Sequence, residues 1–153
     1  MSTDKINRVV AVGIATLVVL LCSACGPEEE RMTPEEARDS LTTIAHDTAE
    51  LLGISGWAEN GAPLATSCDS GVGVKWSYLY GAPIPDADRL ADVQKVADYW
   101  VSLGMEVRTN TEHDPVVFGA GGPVQSISFS TGPSVYDVSG TSLCVPGDAN
   151  DWR

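Results

Sequence analysis

The side chains suited to acid, base or metal chemistry are few and scattered. Histidine occurs twice: His46 falls on the polar side of an amphipathic stretch, and His113 sits in the turn Glu112-His113-Asp114-Pro115. A metal centre needs His, Cys or carboxylate groups converging at ligand spacing. That turn offers only a loose, solvated set, so neither a metal nor a cofactor is expected. Carboxylates gather at Asp86, Asp88 and Asp92. Glycoside hydrolysis would need two acids facing each other across a cleft with separated pKa values. Acids at the start of a helix instead bond its free N–H groups and meet the positive end of its dipole. No G-x-S-x-G elbow occurs, and Gly140-Thr141-Ser142 lies in a strand-like stretch. The glycines Gly119, Gly121 and Gly122 lack the Lys-Ser/Thr ending of a phosphate loop and lead into Pro123 and a strand. No catalytic residue emerges, and the chain reads as a non-enzyme.

The aromatic residues are the remaining lead. Trp57, Trp76, Tyr78, Tyr80, Tyr99 and Trp100 are large for so short a chain, and core packing accounts for most of them. Trp57 differs, because nothing in the loop between Gly53 and Gly61 dictates burial. It is the candidate ligand-binding residue.

These side chains must be held by a small set of elements. Thr33 as N-cap, Pro34 at the first helical position and Glu36 completing a capping box open a first helix that Gly53 ends. Ala37, Leu41, Ile44, Ala45, Thr48, Leu51 and Leu52 form its inner stripe. A second helix starts at Asp86 or Asp88, runs through Leu90, Val93, Val96, Ala97, Trp100 and Val101, and is capped by Gly104. Two amphipathic helices need a surface to cover. Val72, Val74, Trp76, Tyr78 and Tyr80 alternate with Gly73, Lys75, Ser77 and Leu79, as on a strand with one buried face. Shorter candidates follow at 106–110, 116–118, 124–130 and 135–145, with Gly140 placed to break the last. The expectation is an α+β domain over residues 33–153: an antiparallel sheet of about four strands with both helices packed on one face.

The N-terminus carries an address. Lys5 and Arg8 precede an uncharged run from Val9 to Leu21, the n- and h-regions of a signal peptide. The run is marginal as a membrane span, which takes about 20 residues. Leu21-Cys22-Ser23-Ala24-Cys25-Gly26 then resembles the lipobox of bacterial lipoproteins, with Cys22 where that family usually has Leu. The resemblance implies cleavage after residue 24 and acyl chains of the palmitate and diacylglyceryl kind on Cys25. It places the protein at the cell membrane, lipid-anchored on the extracytoplasmic face. An ordinary secretory cut after Ala24 fits the same small residues. Lipidation, however, removes one thiol from the oxidising compartment and leaves an even pair, Cys68 and Cys144, expected to form a disulfide. Residues 25–32, with Glu28, Glu29 and Glu30, read as an acidic tether.

Composition sets outer limits. The 153 residues carry a formal charge of −12 and are 43% hydrophobic, and the mean hydropathy of +0.01 is that of an ordinary soluble domain. Loss of Asp4, Lys5 and Arg8 with the leader makes the mature part still more acidic. Such a field repels phosphate backbones, so nucleic acid is not an expected partner. The layout of lipobox, amphipathic helix, cysteine before an aromatic strand, Trp100 ahead of Gly104 and a late Ser-Leu-Cys-Val-Pro resembles small actinobacterial membrane lipoproteins of uncharacterised function. That resemblance implies location and fold, and it transfers no functional residue. The expected role is a lipid-anchored binding or interaction domain for a protein or small ligand. A cell-envelope hydrolase using carboxylates such as Asp86 or Asp114 is the alternative, as is an enzyme inhibitor inserting the loop between Gly119 and Val124.

Overall fold

A computed structural model describes residues 31–153, which form one unit. The leader, the lipobox with Cys25 and the glutamates at 28–30 lie outside the described residues. The first helix, α1 (Pro34–Leu52), begins as its residues dictate. Thr33 accepts the Glu36 N–H, the Glu36 carboxylate accepts the Thr33 N–H, and Gly53 closes the helix in the left-handed conformation at φ 64°. Met32, assigned to the tether by sequence, already packs against the core.

The chain then makes a two-residue strand β1 (Ala58–Glu59), β2 (Leu64–Ser67) and the long β3 (Val74–Pro83). Helix α2 (Arg89–Ser102) follows, with the Asp88 side chain accepting the N–H groups of Leu90 and Ala91. It ends at Leu103, and Gly104 beyond it takes the left-handed φ of 81°. Four strands complete the sheet: β4 (Glu106–Asn110), β5 (Val116–Gly121), β6 (Val124–Ser130) and β7 (Val135–Ser142). A 3₁₀ turn at Ala149–Trp152 ends the chain and sets Trp152 edge-on to Trp76.

The expected sheet of about four strands is thus too small. The sheet has seven, in the order β1-β3-β7-β6-β5-β4, with β2 also pairing β3, and every pairing is antiparallel. The strands that sequence reading lost are β1 and β2. They lie in a stretch rich in Gly, Pro and Asn and are too short to show alternation, and each pairs with a different half of β3. Two boundaries also move. Val72 is exposed, β3 starting only at Val74 and continuing past Gly81, while β7 ends at Ser142, leaving Val145 to pair alone with Val74.

Nor does Gly140 break β7. A Cβ there would lie 2.7 Å from Leu41 Cδ1, and one at Gly119 would lie 2.9 Å from Met105 Sδ and 3.0 Å from the Trp100 ring. Each glycine marks a point where a helix, or the turn after it, comes down onto the sheet. Helix α1 lies over β3, β7 and β6, and α2 over β4, β5 and β6. Between the layers Leu41, Val74, Trp76, Tyr78, Val96, Trp100, Val117, Phe129, Tyr136 and Val138 are buried. Apart from the Trp57 indole N–H, the buried polar side-chain groups among the described residues have partners. The Trp100 indole donates to Thr48 Oγ1 (3.0 Å), and Thr48 donates to the Ile44 carbonyl (2.7 Å). Tyr136 Oη donates to the buried carboxylate of Asp92 (3.3 Å), which Lys95 also approaches. The Cys68–Cys144 disulfide fastens the end of β2 to the segment after β7.

Candidate functional site

Strand alternation sends one set of side chains into the helix layer and the other away from it, and no helix among the described residues covers that second set. The register aligns these outward residues in rows across the strands, three long ones in the middle with Lys75 opposite Thr66 and Pro83 opposite Val135 beyond them. One row runs Arg108, Phe118, Ser128, Ser139 and Leu79. On one side of it lie Asn110, Val116, Ser130, Asp137, Gly81 and Ala58, and on the other Glu106, Ala120, Ser126, Thr141, Ser77 and Leu64. The two middle strands therefore present Ser126, Ser128, Ser130, Ser139, Thr141 and Asp137, five hydroxyls and one carboxylate. With neighbouring strands about 4.8 Å apart, the central row is about 19 Å long.

The bare face is concave. Hollows of about 480, 660 and 250 Å³ adjoin along it, and Ser139 lines all three. At one end Arg108 lays its guanidinium over the Phe118 ring, 4.5 Å from the centroid. The other end is less polar, with Leu79, Pro83, Val135 and Ala58 around the larger hollow. Of the trough hydroxyls only Ser128 has a protein partner among the described residues, the Ser139 carbonyl at 3.4 Å. Asp137 is half-buried, and burial raises its pKa above the ordinary carboxylate value.

On the helix side of the sheet, Trp57 is half-buried and stacks on Tyr80 with centroids 5.3 Å apart. Its indole N–H is enclosed without a hydrogen-bond partner among the described residues. The residues flanking it, Gly56 and Ala58, line the trough, while its own ring points away from it. Beside it runs a relay. Tyr78 Oη donates to Glu59 Oε1 (3.1 Å), so His46 Nε2 at 2.9 Å from the Tyr78 hydroxyl serves as the donor to Tyr78 Oη. Burial first, then the Glu59 bond and charge, push the Tyr78 pKa well above that of a free phenol. The relay thus holds a neutral phenol rather than an activated nucleophile.

The other sequence candidates lie apart from the trough. Asp114 is paired with Arg89 at 2.9 Å, Asp88 caps α2, and Asp86 is exposed on the approach to it. His113 adopts φ 63° in its turn and is exposed. Residues 119–124 form the tight β5–β6 hairpin, with Gly121 and Gly122 exposed at its tip and a Cβ at Gly122 standing 3.0 Å from the Leu103 carbonyl oxygen. Among the described residues no cluster of three or more His, Cys, Asp or Glu is placed to hold a metal, and no helix is long and apolar enough to cross a membrane. Sequence reading missed the trough, although the alternation Ser126-Ile127-Ser128-Phe129-Ser130 shows one apolar and one hydroxylated face.

Fold and trough together define a two-layer, sheet-dominated domain with one face of the sheet sealed by helices and the other uncovered by the described residues. The same fold occurs in an actinobacterial protein: the crystal structure of a DUF4853 family protein from Actinomyces odontolyticus ATCC 17982 superposes with a TM-score of 0.58 at 16% identity. The match covers 78% of this chain and 72% of the other, and at that identity it speaks for the fold alone. No protein-family model and no curated protein sequence matches the chain.

Proposed function

We propose that this chain is an extracytoplasmic binding domain, tethered to the cell membrane by acyl chains on Cys25, that takes its ligand on the open face of the sheet. The observation that carries this is the trough itself: among the described residues nothing covers one face of the seven-stranded sheet, and the hydroxyls at its middle have little to bond there. The solvated face of an antiparallel sheet is an ordinary place for long charged side chains. Small side chains along both middle strands instead leave room for another molecule. Among the described residues no nucleophile, base and oxyanion site converge there, and binding rather than turnover is the activity we propose.

Two measurements test this reading. The mass of the native N-terminal peptide reports the anchor, and Cys25→Ala should release the protein from membranes. A photoreactive phenylalanine at Ser139, introduced in the cell, should form a discrete adduct that the same probe at Thr43, on the exposed side of α1, does not form. Equal labelling at both positions, or none at Ser139, defeats the open face as the binding surface.

A further inference from the structure

We infer that the occupant of the trough is a neutral, hydroxyl-rich glycan chain lying across the strands from Phe118 to Leu79. The inference rests on the open face being the binding surface. A sheet face, unlike a sheet edge, offers a ligand no backbone N–H or C=O groups, so recognition falls to side chains. In the two middle strands five of these are hydroxyls, beside Asp137 and Val135. Each hydroxyl can donate and accept, which complements a ligand whose own groups do both at close intervals. Sugar hydroxyls meet that requirement all along their chain.

Charge and shape set the other classes aside. A polyanion would meet a protein of net charge −12 and no cationic side chain on the two middle strands, Arg108 standing at the rim over the Phe118 ring and Lys75 of β3 being paired with Asp69. A protein partner is bound through aromatic or Arg anchors in dry, central pockets. Here the centre is polar, and the large apolar side chains Phe118 and Leu79 stand at its two ends, about 14 Å apart across three strand steps. Such an arrangement suits an extended ligand whose ends pack on apolar surface and whose middle hydrogen-bonds to the floor. Asp137, one row away and without a protein partner among the described residues, adds an acceptor for a hydroxyl or amide N–H.

The test uses the full chain, purified in a detergent without a sugar headgroup, and isothermal titration with cellotetraose, chitotetraose and maltotetraose. Saturable binding of at least one of them is expected. Ser139→Arg and Thr141→Arg should each weaken it roughly tenfold or more, because each fills the floor and strands polar groups of the ligand. Thr43→Arg should leave it unchanged, and circular dichroism verifies folding of each variant. The inference is overturned if none of the three binds at millimolar concentration, or if both folded trough variants bind as tightly as the parent. Should the sugars fail while the Ser139 photoprobe still forms its discrete adduct, the glycan is wrong and the open face stands. Failure of both removes the two readings together.

Discussion

Replacing Gly140 by alanine tests how α1 is seated on the sheet. The new Cβ would lie 2.7 Å from Leu41 Cδ1, 3.1 Å from the Ser126 carbonyl oxygen and 3.2 Å from Ile127 Cγ1. Carbon atoms rest about 3.5–4.0 Å apart, so the first contact overlaps by close to an ångström and must be relieved by moving the helix or the leucine. Overpacking of this kind costs about 1–3 kcal/mol. Leu41 is itself fully buried, and Leu41→Ala alone should cost about 2–5 kcal/mol through lost contacts and a cavity. In the double variant the new methyl enters the space the leucine has left. The two losses should then fall short of additivity by about 1–2 kcal/mol, the Ser126 and Ile127 contacts remaining. Urea unfolding of the four proteins, followed by tryptophan fluorescence, measures the difference. Additivity within about 0.5 kcal/mol would show that Gly140 and Leu41 do not share this contact, and the account of the glycine would be wrong.

Three further outcomes follow from the same packing. Replacing Cys68 and Cys144 by serine frees a closed loop of 76 residues and should lower stability by about 4–5 kcal/mol on the chain-entropy model, read from denaturation with and without the bond. Thr48→Val keeps the shape but leaves the buried Trp100 indole N–H without its acceptor, so a loss of about 1–3 kcal/mol is expected in the same urea assay. Alkali should weaken the fold. Burial, then the Asp92 charge and hydrogen bond, raises the Tyr136 pKa from 10.0 to about 12. Between those values the unfolded chain has released a proton that the folded chain still holds, and stability declines as pH rises, by on the order of 2 kcal/mol across the window. Urea midpoints taken through that range should drop less steeply in Tyr136→Phe; an unchanged slope would refute the assignment.

What the sequence determined by itself is local. The ends of the first helix were legible because Thr33, Pro34, Glu36 and Gly53 act within their own turns, although Leu51 of the expected inner stripe is exposed and Ala49 is buried. The strand through Trp76 and the second helix were legible because period and capping are properties of neighbouring residues. The pairing of Cys68 with Cys144 was expected on the reading that lipid occupies Cys25, and the two are bonded. Non-local matters were decided only by the tertiary structure. Strands β1 and β2 exist because β3 is long enough to pair with both, a fact absent from their own sequences. Gly140 looked like a break and proved to be the place where Leu41 rests, since a glycine in a strand reads the same until its neighbour across the layer is known. Ser128, Ser139 and Leu79 lie on three separate strands, and only the register of those strands sets them side by side and turns dispersed small residues into the floor of one trough.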